Sequence, residues 1–185
     1  MCGISGIYHQ AGPAPVDGGL LRRMNGAIAY RGPDGDGHHI ESGVGLGHRR
    51  LSIIDLSPSA NQPMVDAALQ LALVFNGTIY NYRELRTELV ELGYTFFSEG
   101  DSEVILKAYH AWGERCVERF YGMFAIAVWD QRRRELFLAR DRFGIKPLYT
   151  APIPGGLAFA SEPQALLTAG LVPRTLRPAA REELL

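Results

Sequence analysis

An apolar run from Leu69 to Phe75, broken only by Gln70, constrains this fold most, because it suits a β-strand covered on both faces. Such a strand needs a layer on each side, so the elements around it carry the rest of the prediction. Gly3 to Tyr8 reads as a first strand. His38 to Ile54 reads as two or three short strands. Met123 to Trp129 and Glu135 to Arg140 form a predicted hairpin, with further strands at Leu148–Thr150 and Leu157–Ala160. Tyr30 to Gly37 and Ser57 to Pro63 read as loops, crowded with Gly, Pro and Ser.

Helical periodicity places Leu20, Leu21, Met24 and Ile28 on one face of a first helix. Asn81 to Leu92 reads as a second helix, capped by Asn81 with Glu84 three residues on and ended by Gly93, with Leu85, Leu89 and Leu92 inward. Asp101 to Trp112 reads as a third, burying Val104, Ile105, Ala108 and Trp112, and Glu162 to Ala169 as a last one. Strands dominate and two helices are adjacent, which predicts an α+β sandwich: two sheets face to face, helices outside. A chain of 185 residues supports one sizeable core, assigned to residues 1–170. Residues 171–185 read as a linker or the start of a further domain.

The chemistry begins at Cys2, directly after Met1. Excision of Met1 would leave one residue carrying both a thiol and a free α-amine. The thiol pKa is about 8.5 and the amine pKa about 7.7–8.0, so the amine can take the thiol proton near neutral pH. A small apolar residue opening a strand is the reading without chemistry. Other residues carry the same double reading. Arg50 is either a surface cation or a guanidinium fork for a carboxylate. Asn76-Gly77 is either a type I′ hairpin turn or an oxyanion hole built from the Asn76 amide and the Gly77 N–H. Asp101 is either a helix N-cap or the partner of a substrate ammonium.

The formal net charge of −1 and the absence of any long apolar run argue against nucleic-acid and membrane partners. Arg132-Arg133-Arg134 reads as a solvated turn. The N-terminus lacks a secretory pattern, and two cysteines, Cys2 and Cys116, indicate no disulfide framework. A reduced, cytoplasmic setting is expected. The sequence leaves the oligomeric state open.

Taken in order, the segments Cys2-Gly3-Ile4-Ser5-Gly6, Arg31-Gly32-Pro33-Asp34-Gly35, His48-Arg49-Arg50-Leu51-Ser52-Ile53-Ile54-Asp55, Phe75-Asn76-Gly77-Thr78-Ile79-Tyr80-Asn81, Gly100-Asp101-Ser102-Glu103-Val104-Ile105 and Arg140-Asp141-Arg142-Phe143-Gly144-Ile145-Lys146-Pro147-Leu148-Tyr149 resemble the glutaminase domain of glutamine-hydrolysing asparagine synthetases. The resemblance spans residues 2 to about 167. It implies a four-layer αββα sandwich of the N-terminal-nucleophile hydrolase type. It implies Cys2 as nucleophile and Asn76 with Gly77 as oxyanion hole. Arg50 would hold the glutamine α-carboxylate with backbone help near Ile53 and Ile54, and Asp101 the α-ammonium. No metal or organic cofactor is implied for this half reaction.

The chain departs from the family pattern at three positions. Thr78 stands where the family has a Glu that helps hold the ammonium, Tyr30 replaces a His, and Gly100 replaces the Ser before Asp101. The family's Ser-Gly-Gly-x-Asp-Ser pyrophosphate loop does not occur. An excised domain, or a stand-alone subunit feeding ammonia to an ATP-dependent synthetase, is therefore expected. Two other readings stand beside a glutaminase: a degenerate domain that binds a synthetase without catalysing, and an amidase for another amide.

Overall fold

The computed structural model describes residues 1–10 and 15–175. In chain order the elements are β1 (Gly3–His9), α1 (Gly18–Ala27), β2 (Gly35–Glu41), β3 (Val44–Arg50), β4 (Met64–Asp66), β5 (Leu71–Ile79), α2 (Tyr82–Glu91), α3 (Asp101–Trp112), β6 (Gly122–Asp130), β7 (Glu135–Arg140), β8 (Tyr149–Ile153), β9 (Gly156–Ala160) and α4 (Pro163–Thr168). One sheet runs β2-β3-β1-β9-β8 and the other β4-β5-β6-β7. Both are antiparallel throughout.

The period-two alternation of strands builds the layers. In β5, Leu71, Leu73, Phe75 and Ile79 pack against α2 and α3, joining Leu85, Leu89, Val104 and Ile105 in one cluster. The alternate residues Ala72 and Val74 face the other sheet, with Ile4, Val44, Leu46, Trp129 and Phe159. Beyond that sheet, Met24 of α1, Ile28 at its end, and Ala165 and Leu166 of α4 cover Ile7, Ala151 and Ala158. The order is helices, sheet, sheet, helices: the four-layer αββα sandwich. The run at Leu69–Phe75 is apolar because β5 is covered on both faces.

Several local expectations change. Asn81 stands at the N-cap of α2 but makes no capping bond; its side chain donates to Arg119 O and accepts from the Tyr121 N–H, tying α2 to the segment before β6. Gly93 does end α2, at φ 92°, with Gly93 N–H donating to Val90 O and Tyr94 N–H to Leu89 O, a Schellman closure. Leu92 is exposed, since it lies past the last helical residue. Asp101 is the first residue of α3, and Gly100 occupies the cap. The His38–Ile54 segment forms only β2 and β3, and β2 starts at Gly35, inside the predicted loop. The short strand β4 lacks the length to show a period. Of the predicted linker 171–185, residues 176–185 lie outside the described residues.

Candidate active site

Asn76-Gly77 does not turn the chain. Both residues lie inside β5, where Asn76 pairs with Ala125 and Gly77 with Phe124 of β6. Alternation puts Asn76 and Thr78 on the same face as Ala72 and Val74, between the sheets. In β3 it puts His48 and Arg50 on the face of Val44 and Leu46, and it aligns Cys2 with Ile4 ahead of β1. Three strands thus deliver Cys2, Arg50, Asn76 and Thr78 to one end of the inter-sheet space.

That end is a cavity of about 360 Å³. Its walls include Cys2, Arg50, Ile53, Ile54, Asn76, Gly77, Thr78, Gly100 and Asp101, so every residue given a catalytic or substrate-binding role in the sequence reaches it.

The start of the chain is held from several sides. Ile4 N–H donates to Ser161 Oγ at 2.9 Å, and Ser161 N–H returns a bond to Ile4 O at 2.8 Å. Arg31 Nε donates to Cys2 O at 2.9 Å, and Glu162 accepts from the same guanidinium at 2.6 Å. Leu51 N–H points at Cys2 Sγ, 3.3 Å away. The Cys2 thiol in turn donates to Leu51 O at 3.5 Å.

β4 ends its pairing with β5 at Leu73, so the β5 edge beyond it carries no strand partner. Side chains close part of that edge. Phe75 N–H donates to Gln62 Oε1 at 2.6 Å, and Ile79 N–H to Asp101 Oδ2 at 3.0 Å. Gly77 lies between them, and by the same alternation its N–H points off this open edge into the cavity. A side chain at residue 77 is excluded, because a Cβ would stand 2.2 Å from Met123 O. Asn76 is buried, and its Nδ2 finds no partner. A buried amide donor left unpaired is costly, about 1–3 kcal/mol, and is rare in a folded chain.

Charge is set in opposition across the cavity. Burial raises the Asp101 pKa to about 6, against the backbone N–H groups of Ile79, Asp101 and Ser102, which pull it down. Asp101 is positioned by the turn before α3, where Glu103 accepts from the N–H groups of Phe97 and Ser98 and from Ser98 Oγ. Arg50 donates to Asn61 Oδ1 and Asp55 O, so the Asp55–Asn61 loop orients its guanidinium. Ile53 and Ile54 are exposed on the same loop, at the mouth.

Sequence reasoning gave no role to several lining residues, among them His48 and Lys146. His48 Nε2 lies 3.2 Å from Phe75 O, and burial lowers its pKa to about 4, so it is neutral and donates there. Its position two residues before Arg50 was the available signal. Lys146 lay unexamined within a longer motif. Among the described residues no group of three or more His, Cys, Asp or Glu could hold a metal ion, and no helix is long and apolar enough to cross a membrane.

A family model described as a glutamine amidotransferase domain matches residues 1–185. The chain belongs to the glutamine amidotransferase domain family. The domain is 42% identical to asparagine synthetase [glutamine-hydrolyzing] 1 of Bacillus subtilis over 171 residues, covering 91% of this chain and 27% of that protein. It is 45% identical over 182 residues to a putative asparagine synthetase [glutamine-hydrolyzing] of Mycobacterium tuberculosis, covering 90% of this chain and 28% of that one. Amidase chry2 of Gibberella zeae is 38% identical over 188 residues, with coverage of 94% and 27%. The chain thus spans about a quarter of the length of these relatives.

Among solved structures, glutamine phosphoribosylpyrophosphate amidotransferase from B. subtilis, complexed with ADP and GMP, superposes on the domain with a TM-score of 0.76 at 19% identity. The match covers 91% of this chain and 44% of that one. That likeness shows that the two share a fold.

Proposed function

We propose that this domain hydrolyses the side-chain amide of glutamine to glutamate and ammonia, and that the ammonia serves an ATP-dependent amide-forming synthetase in a cytoplasmic setting. Residues 1–170 form the glutaminase unit in this reading, and residues 171–185 lead toward that synthetase, as a domain of a longer chain or as a separate subunit. The observation that carries it is the buried, unpartnered Asn76 amide in the same cavity wall as Cys2.

Glutamine presents a carboxylate, an ammonium and a polarisable carbonyl at its far end. Arg50 matches the first, with the backbone of Ile53 and Ile54 beside it, and Asp101 beside Gly100 matches the second. Cys2, once freed of Met1, attacks the amide carbon as a thiolate after passing its proton to its own α-amine. Asn76 Nδ2 and Gly77 N–H receive the oxyanion, a contact worth about 10²–10³ in rate per donor. The α-ammonium returns a proton to the departing ammonia. Water then cleaves the thioester to glutamate. The test is release of glutamate and ammonia from glutamine by processed protein, with asparagine and other amides as controls. Labelling of Cys2 by a glutamine-like electrophile supports the reading, and absence of turnover with purified, processed protein discards it.

A pH prediction follows from Asp101. Its carboxylate form is needed for the substrate ammonium, and burial places its pKa near about 6 in the free domain. Below that pH the carboxyl is protonated, so kcat/KM for glutamine should fall as pH drops through 6. Once glutamine is bound, its ammonium favours the carboxylate and moves the limb of the kcat profile to lower pH. Asp101→Asn should remove the kcat/KM limb and raise KM. An unmoved limb in that variant assigns the titration elsewhere.

Thr78 lines the cavity on the Asn76 face but brings no charge. Asp101 then balances the ammonium without a second carboxylate at this position, and KM for glutamine is expected to be high. Thr78→Glu should lower KM by roughly tenfold to a hundredfold, equivalent to ~1.5–3 kcal/mol for a charge-assisted contact, with kcat within a few fold. Unchanged KM would mean that another group already fills this role. Inactive wild-type protein rescued by Thr78→Glu would mark a decayed glutaminase. Wild-type turnover of other amides at rates rivalling glutamine favours the amidase reading.

A further inference from the structure

Lys146 is buried, lines the cavity, and is held rigidly. The turn that carries it wraps the Asp141 carboxylate, which accepts from the N–H groups of Phe124, Phe143, Ile145 and Lys146 itself. Those four donors occupy Asp141 and leave it no bond to the Lys146 ammonium. Glu162 is taken by Arg31 and Tyr30. Among the described residues no carboxylate stands within salt-bridge distance of Lys146 Nζ; its hydrogen-bond partner is Met1 Sδ, a weak acceptor, at 3.2 Å. Excision of Met1 would remove even that.

A buried ammonium with no anion is an expensive arrangement, and such groups concentrate at functional sites. Cys2, the residue bonded to Met1, lines the same cavity, and chemistry there creates an anion. We propose that Lys146 is the counter-cation of the Cys2 thiolate, the positive charge that makes the nucleophile available once Met1 is gone.

The step it assists is a proton transfer: the Cys2 S–H bond breaks, its electron pair stays on sulfur, and the proton moves to the α-amine. The Lys146 charge stabilises the resulting thiolate. Burial lowers the pKa of Lys146 itself, with Arg31 adding to the effect, while Cys2 and Asp141 pull it up. The other charged or titratable groups around the pair are Arg31, neutralised by Glu162, and Arg50, His48 and Asp101 on the facing walls. None of these duplicates a free cation beside Met1 and Cys2. Arg31 spends its Nε on Cys2 O and its Nη1 on Glu162. This inference rests on Cys2 being the nucleophile, as proposed above.

The test is the pH dependence of Cys2 alkylation by iodoacetamide, read on the N-terminal peptide by mass spectrometry, in processed wild-type protein and in Lys146→Gln, Lys146→Met and Lys146→Arg. Lys146→Met replaces an unpaired buried charge by an apolar chain of similar reach, so it should fold with a melting midpoint at or above wild type. Gln and Met should raise the apparent thiol pKa by about one unit and slow alkylation at pH 7 about tenfold. Arg should restore the rate to within about threefold. Wild-type rates in Lys146→Met, or an Arg variant as slow as Gln, overturn the inference. Iodoacetamide lacks the α-carboxylate and α-ammonium through which Arg50 and Asp101 would hold glutamine, so the outcomes separate. A domain inert toward glutamine but showing the alkylation shift loses the glutaminase reading and keeps this one. Normal alkylation with reduced glutamine turnover does the reverse.

Discussion

Cys2→Ser in processed protein is expected to reduce glutamate release from glutamine by about 10³-fold or more, the scale on which removing a nucleophile acts in acyl-transfer enzymes. Oxygen keeps the reach of sulfur but has a far higher pKa, so the α-amine cannot deprotonate it appreciably. The fold should not change. Cys2 precedes β1, and the anchors Ile4–Ser161 and Arg31–Cys2 O use backbone atoms that Ser retains. Chain that keeps Met1 should be similarly inactive, because the amine then lies one residue, about 3.8 Å along the chain, from its place and Cys2 carries an amide N–H. Glutamate release is read by a coupled assay, and folding by the thermal midpoint. More than a tenth of wild-type activity in homogeneous Cys2→Ser protein would remove Cys2 from the mechanism.

Asn76→Ala should lower kcat about 10²–10³-fold with little change in KM, since its donor matters most when negative charge develops on the carbonyl oxygen. The same substitution deletes a buried amide that the substrate-free fold leaves unpaired. Its thermal midpoint should therefore stay close to wild type or rise, where loss of a satisfied buried amide would lower it. Activity and stability moving in opposite directions is the signature of a group kept for chemistry. A large fall in both would show that Asn76 supports the structure, and the oxyanion role would pass to Gly77 N–H and another donor.

The resemblance named the candidate site residues in the sequence, and strand alternation accounts for where they fall in the structure. Cys2 shares parity with Ile4, Arg50 with Leu46, and Asn76 and Thr78 with Val74, so the buried face can be continued past the end of each apolar run. Helix signals of sufficient length were also readable: α3 runs from Asp101 to Trp112 as expected. Short elements were not. β4 has three residues, too few to display a period, yet its early end is what leaves the β5 edge open at Gly77.

Sequence by itself determined the layered α+β class and the parity of each strand, because these depend on local spacing, and the resemblance named the groups proposed to react. Only the tertiary structure decided that Asn76-Gly77 lies within a strand instead of a turn. Residue 71 pairs with Asp130 and residue 79 with Gly122, and that continuous ladder to β6 overrides the local turn preference. Only the tertiary structure gave Asp101 its raised pKa, left Asn76 Nδ2 without a partner and gave Lys146 Nζ no acceptor but Met1 Sδ, since burial and pairing depend on elements distant in sequence. The residue types name the possible chemistry; the low-dielectric surroundings and missing partners that make it usable come from the packing of the two sheets.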